Sequence, residues 1–451
     1  MQVSVLDFGA RPDGTLSTGA IQSAVDACFR AGGGTVEVPE GTFLTGGLRL
    51  RSNITLLLRK GACLLGTRNP ADYDILRDDT VEPVDPALLT NDVWTPARTR
   101  TSFDFANKPG SAWNNALIRL LHAENVRIIG EEDSFIDGAD CYDEGGEEWY
   151  RGPHGISAWY SSNLHFEGYT VRNSGNWAHN VQRSQHLTFE RVTVLAGHDG
   201  IHLRSCDHTK ISHCAFYTGD DCVAGMDNSF LTVRRCVMNT ACSAFRLGGT
   251  HVRIAHCKMY GPARYLFRGS LTKEEKRDGK PTAENEAGHR YNMLSAYTYF
   301  SDFSRKIRFQ PGDIVMEDCE VSDVDRFLHY NFSGNEPWQR NRPLGDITFR
   351  RVKAENLRHP LTAYGDENAR ATVTLEDCGF TIAEDKPGMA FMHACHYEEI
   401  ILRRVRVSGL QNAPLILRWS DGVIKPEGVS YEDAGNPFIE DADVDFQCRP
   451  I

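Results

Sequence analysis

NLHF at residues 163–166, HLTF at 186–189, TKI at 209–211, LTV at 231–233 and VRI at 252–254 are five short segments in which apolar and polar residues alternate. Their last residues, which we call anchors, are Phe166, Phe189, Ile211, Val233 and Ile254, separated by 23, 22, 22 and 21 residues. The series resumes with anchors at Met316, Phe349, Leu375 and Leu402. A repeat of this length predicts a solenoid in which each coil contacts only its neighbours.

The position three residues after each anchor is apolar in every coil. It is occupied by Tyr169, Val192, Cys214, Cys236, Cys257, Cys319, Val352, Cys378 and Val405. This pattern is typical of inward side chains stacked coil on coil, where each strand pairs with its equivalent one turn later. The sequence therefore predicts an all-β fold, a right-handed parallel β-helix. We interpret the five cysteines as a packing ladder, with metal binding as the alternative.

The organisation along the chain predicts one β-helix domain over residues 1–451. Residues 1–34 form an N-terminal cap region, because Ile21, Ala24, Val25 and Cys28 have helical spacing and three glycines follow at 32–34. Between residues 269 and 311 the repeat lapses into a charged and then an aromatic-rich segment. We interpret this segment as an insertion that flanks the active-site groove.

Composition excludes several classes of protein. The net charge of −12 is spread along the chain without a basic run, which disfavours nucleic acid as a partner. No apolar run is long enough for a membrane span, and no signal peptide is apparent at the N-terminus. Thirteen cysteines, without close CxxC pairs, favour a cytoplasmic location, or a secreted one if a leader has been removed. No cofactor and no metal are predicted, and the oligomeric state is left open.

Counting from the anchors places polar residues on one face. The position ten residues after the first four anchors is occupied by Asn176, Asp199, Asp221 and Ser243. Aspartates stacked on neighbouring coils have backbones roughly 5 Å apart. Two carboxylates at such a short distance repel one another. The repulsion separates their pKa values and so supplies an acid and a base from identical residues. Asp220 adds a third carboxylate. The alternative interpretations of these aspartates are a turn-capping motif or a calcium site.

A second column lies thirteen residues after the anchors and holds His179, His202, Ala224 and Arg246. Cationic and hydrogen-bonding groups beside carboxylates suit a polyhydroxylated and acidic sugar. Trp177 is a candidate surface on which a sugar ring stacks, although a tryptophan is more often a core residue. Simple solvent exposure is the alternative for each histidine.

At these residues the sequence resembles glycoside hydrolase family 28, the polygalacturonase-like enzymes. The likeness rests on VLDFGARPDG at 5–14, AIQSAVDAC at 20–28, GHDGIHLRSC at 197–206 and GDDCVAG at 219–225, and it covers roughly the first 270 residues. The resemblance implies inverting hydrolysis, in which Asp220 protonates the leaving oxygen while Asp199 and Asp221 activate water. Inversion requires the acid and base to lie roughly 6.5 to 9.5 Å apart.

The departures from the family pattern bear on the substrate. Gly197-His198 replaces the Asn-Thr of one motif, and Cys242-Ser243-Ala244 replaces the motif that carries the family's active-site histidine. We take His198 and His202 as the candidates to replace that histidine. Arg268 partly matches the family motif that binds a substrate carboxylate. These departures favour a different uronide or a neutral glycoside over plain polygalacturonan.

Three functions follow as hypotheses. The first is an inverting glycosidase whose partner is an oligo- or polysaccharide of plant or microbial origin. The second is a β-helix polysaccharide lyase or epimerase, which would use an Arg or Lys base and often calcium. The third is a noncatalytic glycan-binding β-helix.

Overall fold

Strands stacked in parallel rows build most of the chain. The computed structural model describes residues 1–73, 115–301, 307–334, 336–431 and 437–442, without the side chains of residues 196 and 337. Within these residues two parallel sheets of 25 and 13 strands form, and each strand pairs with its equivalent on the next coil. The predicted fold, a right-handed parallel β-helix with a short N-terminal capping helix, is confirmed. No helix among the described residues combines the length and apolar character required to span a bilayer.

The strands fall into three rows, numbered here in chain order. The anchor row consists of β1 (Gln2–Ser4), β2 (Gly34–Val38), β5 (Ile54–Leu58), β8 (Glu124–Gly130), β12 (Ser162–Glu167), β15 (Gln185–Glu190), β18 (Asp207–Ser212), β25 (Gly312–Glu317), β28 (Asp346–Arg350), β31 (Ala371–Glu376), β34 (Tyr397–Arg403) and β37 (Val423–Glu427). The cleft row consists of β4 (Leu48–Leu50), β7 (Ala116–Leu121), β11 (His154–Trp159), β14 (His179–Gln182), β17 (Ile201–Arg204), β24 (Met293–Tyr299), β27 (Val324–Asn331), β30 (Leu361–Tyr364), β33 (Met392–Cys395), β36 (Ile416–Arg418) and β39 (Ile439–Asp441). Two long strands, β20 (Val223–Arg234) and β22 (Ser243–Ala255), contribute to both rows.

The third row is the separate sheet. It consists of β3 (Gly41–Thr45), β6 (Ala62–Gly66), β9 (Phe135–Asp137), β13 (Thr170–Arg172), β16 (Thr193–Ala196), β19 (Ala215–Thr218), β21 (Val237–Thr240), β23 (Lys258–Tyr260), β26 (Glu320–Ser322), β29 (Lys353–Leu357), β32 (Gly379–Ile382), β35 (Arg406–Ser408) and β38 (Ser430–Tyr431). One strand, β10 (Tyr142–Glu147), lies outside the rows. Short 3₁₀ helices cover Val5–Phe8, Pro70–Asp72, Arg268–Ser270, Ala283–Gly288 and Pro337–Gln339.

The core follows the predicted register. Phe166 pairs with Phe189, Phe189 with Ile211, and the sequence of anchors continues in the same way to Leu402. All nine residues that follow the anchors by three positions are buried in one continuous core. The five cysteines of this set are free, buried thiols, as the interpretation as a packing ladder predicts.

The N-terminal helix α1 (Thr18–Arg30) packs against β1, β2, β4 and β5. It turns Ile21, Ala24, Val25 and Cys28 toward the core, in agreement with the predicted helical spacing.

The predicted insertion contains a second helix, α2 (Lys273–Asp278), whose first turn is closed by a reciprocal bond between Thr272 and Glu275. The buried Glu275 carboxylate also accepts hydrogen bonds from Thr282, Asn285 and His289. These bonds satisfy a charge that would otherwise be costly to bury, and they connect residues of the insertion to one another. Described residues of the insertion therefore hold a defined conformation. The division of the chain into one domain with a cap and an insertion stays a prediction.

Phe189→Ala should strongly destabilise the fold. The Phe189 ring is fully buried and stacks on Phe166 with 4.7 Å between centroids. Its removal leaves a cavity and should cost about 3–5 kcal/mol of unfolding free energy in urea denaturation. Thr188→Ala, on the outward face of the same strand, is the matched control and should cost under about 0.5 kcal/mol. Equal losses in the two variants would show that the ring does not pack in the core.

Candidate active site

The three aspartates lie at the turns that lead into two neighbouring strands of the cleft row. Asp199 precedes β17, while Asp220 and Asp221 precede β20. The Gly200 N–H donates to the Asp221 carbonyl at 2.9 Å, so the two turns are hydrogen-bonded in register. Glycine is needed in both motifs, because a Cβ at Gly200 would lie 2.5 Å from the Cys222 carbonyl oxygen and one at Gly219 would lie 2.0 Å from that of Leu266. The close approach of the coils therefore explains the glycines beside the aspartates.

The three carboxylates have different environments. The side chains of Asp199 and Asp221 are 4% and 3% exposed, while that of Asp220 is 14% exposed. Burial, followed by repulsion from Asp220 and Asp221, raises the pKa of Asp199 well above its ordinary value. Burial also raises the pKa of Asp221, to about 6, against the opposing charge of Arg246. The cluster therefore holds protons at a pH where ordinary aspartates are ionised, which is the condition for acid and base chemistry.

His202 is oriented by its hydrogen bonds. Arg204 Nε donates to His202 Nε2 at 3.0 Å, so that nitrogen is an acceptor and the imidazole proton lies on Nδ1. Nδ1 then donates to Asp199 Oδ2 at 2.7 Å. The ring also stacks on Trp177, with 3.7 Å between centroids and 7° between planes. His202 is therefore a fixed hydrogen-bond donor to Asp199.

Arg151 connects Asp220 to the loop that follows β10. Its Nη2 lies 3.4 Å from Asp220 Oδ2, and its Nε lies 3.2 Å from Glu148 and 3.5 Å from Glu147. Burial raises the pKa of Glu147 to about 8, against the charge of Arg151. A fourth carboxyl in the same cleft thus keeps its proton near neutral pH.

The cleft around these groups has a volume of about 470 Å³, within the size range of small-ligand sites. Its walls combine arginines and carboxyls with aromatic rings. The aromatic rings belong to Trp177, Phe267, Phe300 and Trp338. Arg246 lies over Phe300 and Trp338, 4.3 and 5.1 Å from their ring centroids. Apolar faces beside charged groups suit a sugar, which has both kinds of surface.

Six of the predicted site residues line this cleft. They are Asp199, Asp220, Asp221, Trp177, His202 and Arg246. Their roles stay predictions. Four of them, namely Asp199, Asp221, His202 and Arg246, were placed on this face by counting from the anchors.

His179 is placed elsewhere and requires a correction. It is fully buried, with its Nε2 3.0 Å from the Tyr169 hydroxyl and its ring edge-on to Phe189. Arg172 pairs with Leu195, but His179 pairs with Ile201, so the turn of the first coil is one residue longer. A slip of one residue turns a strand side chain to the opposite face. Asn180, and not His179, is the true equivalent of His202.

His198 and Arg268 do not line the cleft either. His198 lies behind Arg151, whose Nη1 is 3.1 Å from its Nδ1. Burial, and then the charges of Arg151 and Arg268, lower the pKa of His198 well below its ordinary value. Arg268 packs against Gly197 and forms an ion pair with Asp140 at 2.5 Å. Of the two histidines proposed as replacements for the missing one, His202 is the one in contact with a cleft aspartate.

Sequence reasoning missed several cleft residues. Those with charged or polar side chains are Glu147, Glu148, Arg151, Arg204, Arg290, Thr298, His329, Glu336 and Gln339. Arg204 could have been predicted from the alternation of side chains along a strand, because it lies two residues after His202 and so shares its face. The others come from loops or from coils beyond the regular repeat, where counting gives no register.

A divalent cation would meet competition at this site. Asp220, Asp221 and Cys242 place ligand atoms within 4.8 Å of one another. However, Asp220 contacts Arg151, Asp221 contacts Arg246, and Cys242 accepts a hydrogen bond from Arg290 at 3.1 Å. Each potential ligand already has a cationic partner, which disfavours a metal ion at this position.

The fold and the site define a right-handed parallel β-helix with an aspartate cluster in an aromatic-walled cleft. The family model "Glycosyl hydrolases family 28" matches residues 88–243, which include all three aspartates. The predicted resemblance to glycoside hydrolase family 28 is therefore confirmed over this part of the chain. The match supports the predicted class of glycosidase.

Two relatives and one solved structure extend this result. A "Probable polygalacturonase" of Vitis vinifera is 29% identical over 262 residues, covering 51% of this chain and 48% of that protein. An "Exo-poly-alpha-D-galacturonosidase" of Dickeya chrysanthemi is 38% identical over 151 residues, covering 32% of this chain and 21% of that protein. The aligned segments thus span half or less of these relatives. The family 28 exopolygalacturonase structure of Yersinia enterocolitica matches 100% of this chain and 79% of its own, with a TM-score of 0.54 and 16% identity, and it supports the fold alone.

Proposed function

We propose that this protein is an inverting glycoside hydrolase that acts on a uronide-containing or related oligo- or polysaccharide. The observation that carries the proposal is the convergence of three aspartates, two with raised pKa values, in a sugar-sized cleft. General acid and base catalysis at a glycosidic bond needs one carboxyl that is protonated and one that is ionised. The raised pKa values belong to Asp199 and Asp221, so the division of roles among the three aspartates is carried by the family resemblance and by their exposure, and not by these values.

In this proposal Asp220 is the acid and Asp199 and Asp221 hold the attacking water. The separation of roughly 6.5 to 9.5 Å expected for inversion does not hold for Asp220 and Asp221, because a carboxylate oxygen of each lies within 4.8 Å of the other. The proposal of inversion therefore rests on the family resemblance and on the three aspartates, and not on this distance. Asp220 is the most exposed of the three carboxyls, which suits a group that must reach the glycosidic oxygen. Asp199 and Asp221 are more deeply buried and are fixed by His202 and by the Ser243 N–H, which donates to Asp221 at 3.0 Å. Fixed carboxylates orient a water without reorganisation during the reaction.

The arginines of the cleft offer partners for the carboxylate of an acidic sugar. Four arginines line the cleft, namely Arg151, Arg204, Arg246 and Arg290. A guanidinium binds a carboxylate through two parallel hydrogen bonds, which gives both energy and orientation. Six carboxyl residues line the same cleft, so the argument concerns individual guanidinium groups and not the net charge of the cleft.

Product analysis tests the proposal against its alternatives. Wild-type protein is incubated with oligogalacturonides, other uronides and neutral oligosaccharides, and both reducing ends and unsaturated products are measured. A hydrolase releases reducing ends without ultraviolet-absorbing unsaturated products, and chelator has no effect. Unsaturated products or loss of activity with chelator would favour a lyase or epimerase. Glycan binding without any product across the panel would favour a noncatalytic protein.

Arg246→Met should shift the pH profile of hydrolysis. Arg246 Nη1 lies 3.4 Å from Asp221 Oδ2, and its charge lowers a pKa that burial holds at about 6. The base works in its ionised form, so activity is lost as pH falls through this pKa. Without the arginine the acidic limb of kcat/KM should move upward by roughly 1 pH unit. Arg246→Lys, which keeps the charge, should keep the limb closer to its wild-type position, and an unmoved limb in Arg246→Met would exclude Asp221 as the base.

The cytoplasmic location stays a prediction. The twelve cysteines in the described residues are buried free thiols, which is the state favoured by a reducing compartment.

A further inference from the structure

A second depression, which we call the outer groove, lies on the third row and shares no lining residue with the cleft. It has a volume of about 440 Å³ and is bounded by β29, β32 and β35 together with the turns before β32 and β35. On these three strands Lys353 pairs with Gly379, and Gly379 pairs with Arg406. Lys353 and Arg406 are both exposed, so two cations flank the glycine at the surface.

Gly379 opens the outer groove because it contributes no side chain. Its backbone is not in the left-handed region that favours glycine, and a Cβ at this position would meet no atom within 4 Å. Neither conformation nor crowding therefore requires a glycine here. Adjacent parallel strands lie roughly 5 Å apart, so the missing side chain leaves a gap between two cations whose backbones are roughly 10 Å apart.

Cationic groups outnumber carboxylates in the outer groove. Its charged lining residues are Lys353, Arg404 and Arg406 with Asp377. Arg404 Nη2 donates to Asp377 Oδ2 at 2.9 Å, so these two charges neutralise one another. Among the described residues the Arg406 side chain has no carboxylate partner, and Lys353 pairs with Glu355 in an exposed contact. An exposed ion pair of this kind contributes little, so Lys353 can exchange it for an incoming carboxylate.

Two hydroxyl groups lie beside these cations. Thr381 and Ser408 line the outer groove, and Ser408 Oγ donates to Thr381 Oγ1 at 3.4 Å. Each hydroxyl can donate to and accept from the hydroxyls of a sugar. A polyuronide offers both kinds of partner, since it carries hydroxyls and its carboxylates repeat along the chain. The protein's net charge of −12 repels such a polyanion in general, so a local group of cations decides where it binds.

We infer that the outer groove is a second, noncatalytic binding site for a chain of uronosyl residues, with Arg406 and Lys353 as the partners of its carboxylates. The inference rests on the proposed function for the choice of a polyuronide among polyanions. A polymer has many equivalent segments, so one molecule of protein can hold it at the cleft and at the outer groove together. The second contact raises the affinity for the polymer and leaves the chemistry on a short oligosaccharide unchanged.

The test measures binding of polygalacturonate by titration calorimetry, in the full chain carrying Asp220→Asn so that the polymer is not consumed. Lys353→Gln combined with Arg406→Gln should weaken binding roughly three- to thirtyfold, because each exposed charge contact contributes modestly. Gly379→Leu fills the gap without a change in charge and should weaken binding as well. The loss caused by either variant should shrink in about 1 M salt, which screens exposed charges.

The matched control is Lys60→Gln combined with Lys425→Gln, which removes two exposed cations from ion pairs outside the outer groove. This variant should bind polygalacturonate as the Asp220→Asn protein does. In chains with an intact Asp220, the substitutions in the outer groove should leave kcat/KM on a short oligosaccharide unchanged.

The outcomes separate this inference from the proposed function, because binding does not require turnover. Unchanged polymer binding in both outer-groove variants would overturn the inference, as would an equal loss in the control or no binding of the polymer at all. Equal binding of double-stranded DNA or of neutral galactan at the outer groove would also overturn it, because the site would then not select uronosyl residues. If no substrate is hydrolysed yet polymer binding depends on the outer groove, the binding site holds and the catalytic proposal fails. Thermal melting identifies a misfolded variant, in which case Arg406→Gln alone carries the comparison.

Discussion

Asp220→Asn should reduce hydrolysis by at least about 10³-fold while leaving the fold intact, because the amide cannot donate the proton that the leaving oxygen needs. The side chain is partly exposed and its main charged contact is Arg151 at 3.4 Å, so the isosteric change disturbs little packing. The measurement is the initial rate of reducing-end release, accompanied by circular dichroism.

Asp278→Asn is the matched control for this loss. Asp278 lies on the insertion surface, pairs with Arg277 and is 64% exposed, so its substitution should leave the rate unchanged. Near-normal activity of Asp220→Asn would reject Asp220 as the acid. A comparable loss in both variants would point to a general effect of substitution and not to proton donation.

Asp199→Asn should abolish hydrolysis and at the same time stabilise the protein. Asp199 is buried against two other carboxylates, and its pKa is raised well above the ordinary value. A group whose pKa is higher in the folded than in the unfolded state loses stability as pH rises from the unfolded value through the folded one. The neutral amide avoids this loss and still accepts from His202 Nδ1. We expect a gain of about 0.5–2 kcal/mol at neutral to alkaline pH.

The apparent melting temperature, measured across pH, tests this second prediction. The advantage of Asp199→Asn over wild type should grow with pH and vanish toward the ordinary pKa of an aspartate. Asp199→Ala should gain less, because it leaves the buried His202 N–H without an acceptor. A lower melting temperature for Asp199→Asn at every pH would show that the ionised carboxylate stabilises the fold.

These two predictions share one physical cause. A cluster of buried carboxylates is a poor element of stability but a good source of perturbed pKa values. The structure offsets part of the cost with Arg151, Arg246 and His202, each in contact with a different aspartate. The site thus keeps like charges close together and compensates them only in part. This arrangement is typical of catalytic centres and not of groups that serve stability alone.

The register and the aspartates were predictable because a parallel coil repeats with a nearly fixed length. Counting from Phe189 and Ile211 placed Asp199 and Asp221 on neighbouring coils, and the two turns are hydrogen-bonded as predicted. The same counting failed at His179, because the preceding turn is one residue longer than its neighbour. A repeat predicts strand pairing well, but each turn between strands can change its length independently.

The walls of the cleft were not predictable by this route. Arg151, Arg290 and Trp338 come from segments outside the repeat. Counting from the anchors therefore cannot predict where their side chains point. Arg268 was matched to a family motif, but the structure uses it against Gly197 and Asp140. The sequence can match an arginine to a motif by its charge and spacing, but the group with which that arginine pairs depends on tertiary packing.

Proton NMR of the sugar anomer first released from an α-linked oligosaccharide that the product analysis shows to be cleaved tests the central claim most directly. If Asp199, Asp220 and Asp221 act as inverting acid and base in one cleft, the β anomer appears first and equilibrates later with the α form, and Asp220→Asn gives no product. First release of the α anomer, an unsaturated product, or undiminished turnover by the Asp220→Asn variant would contradict the account.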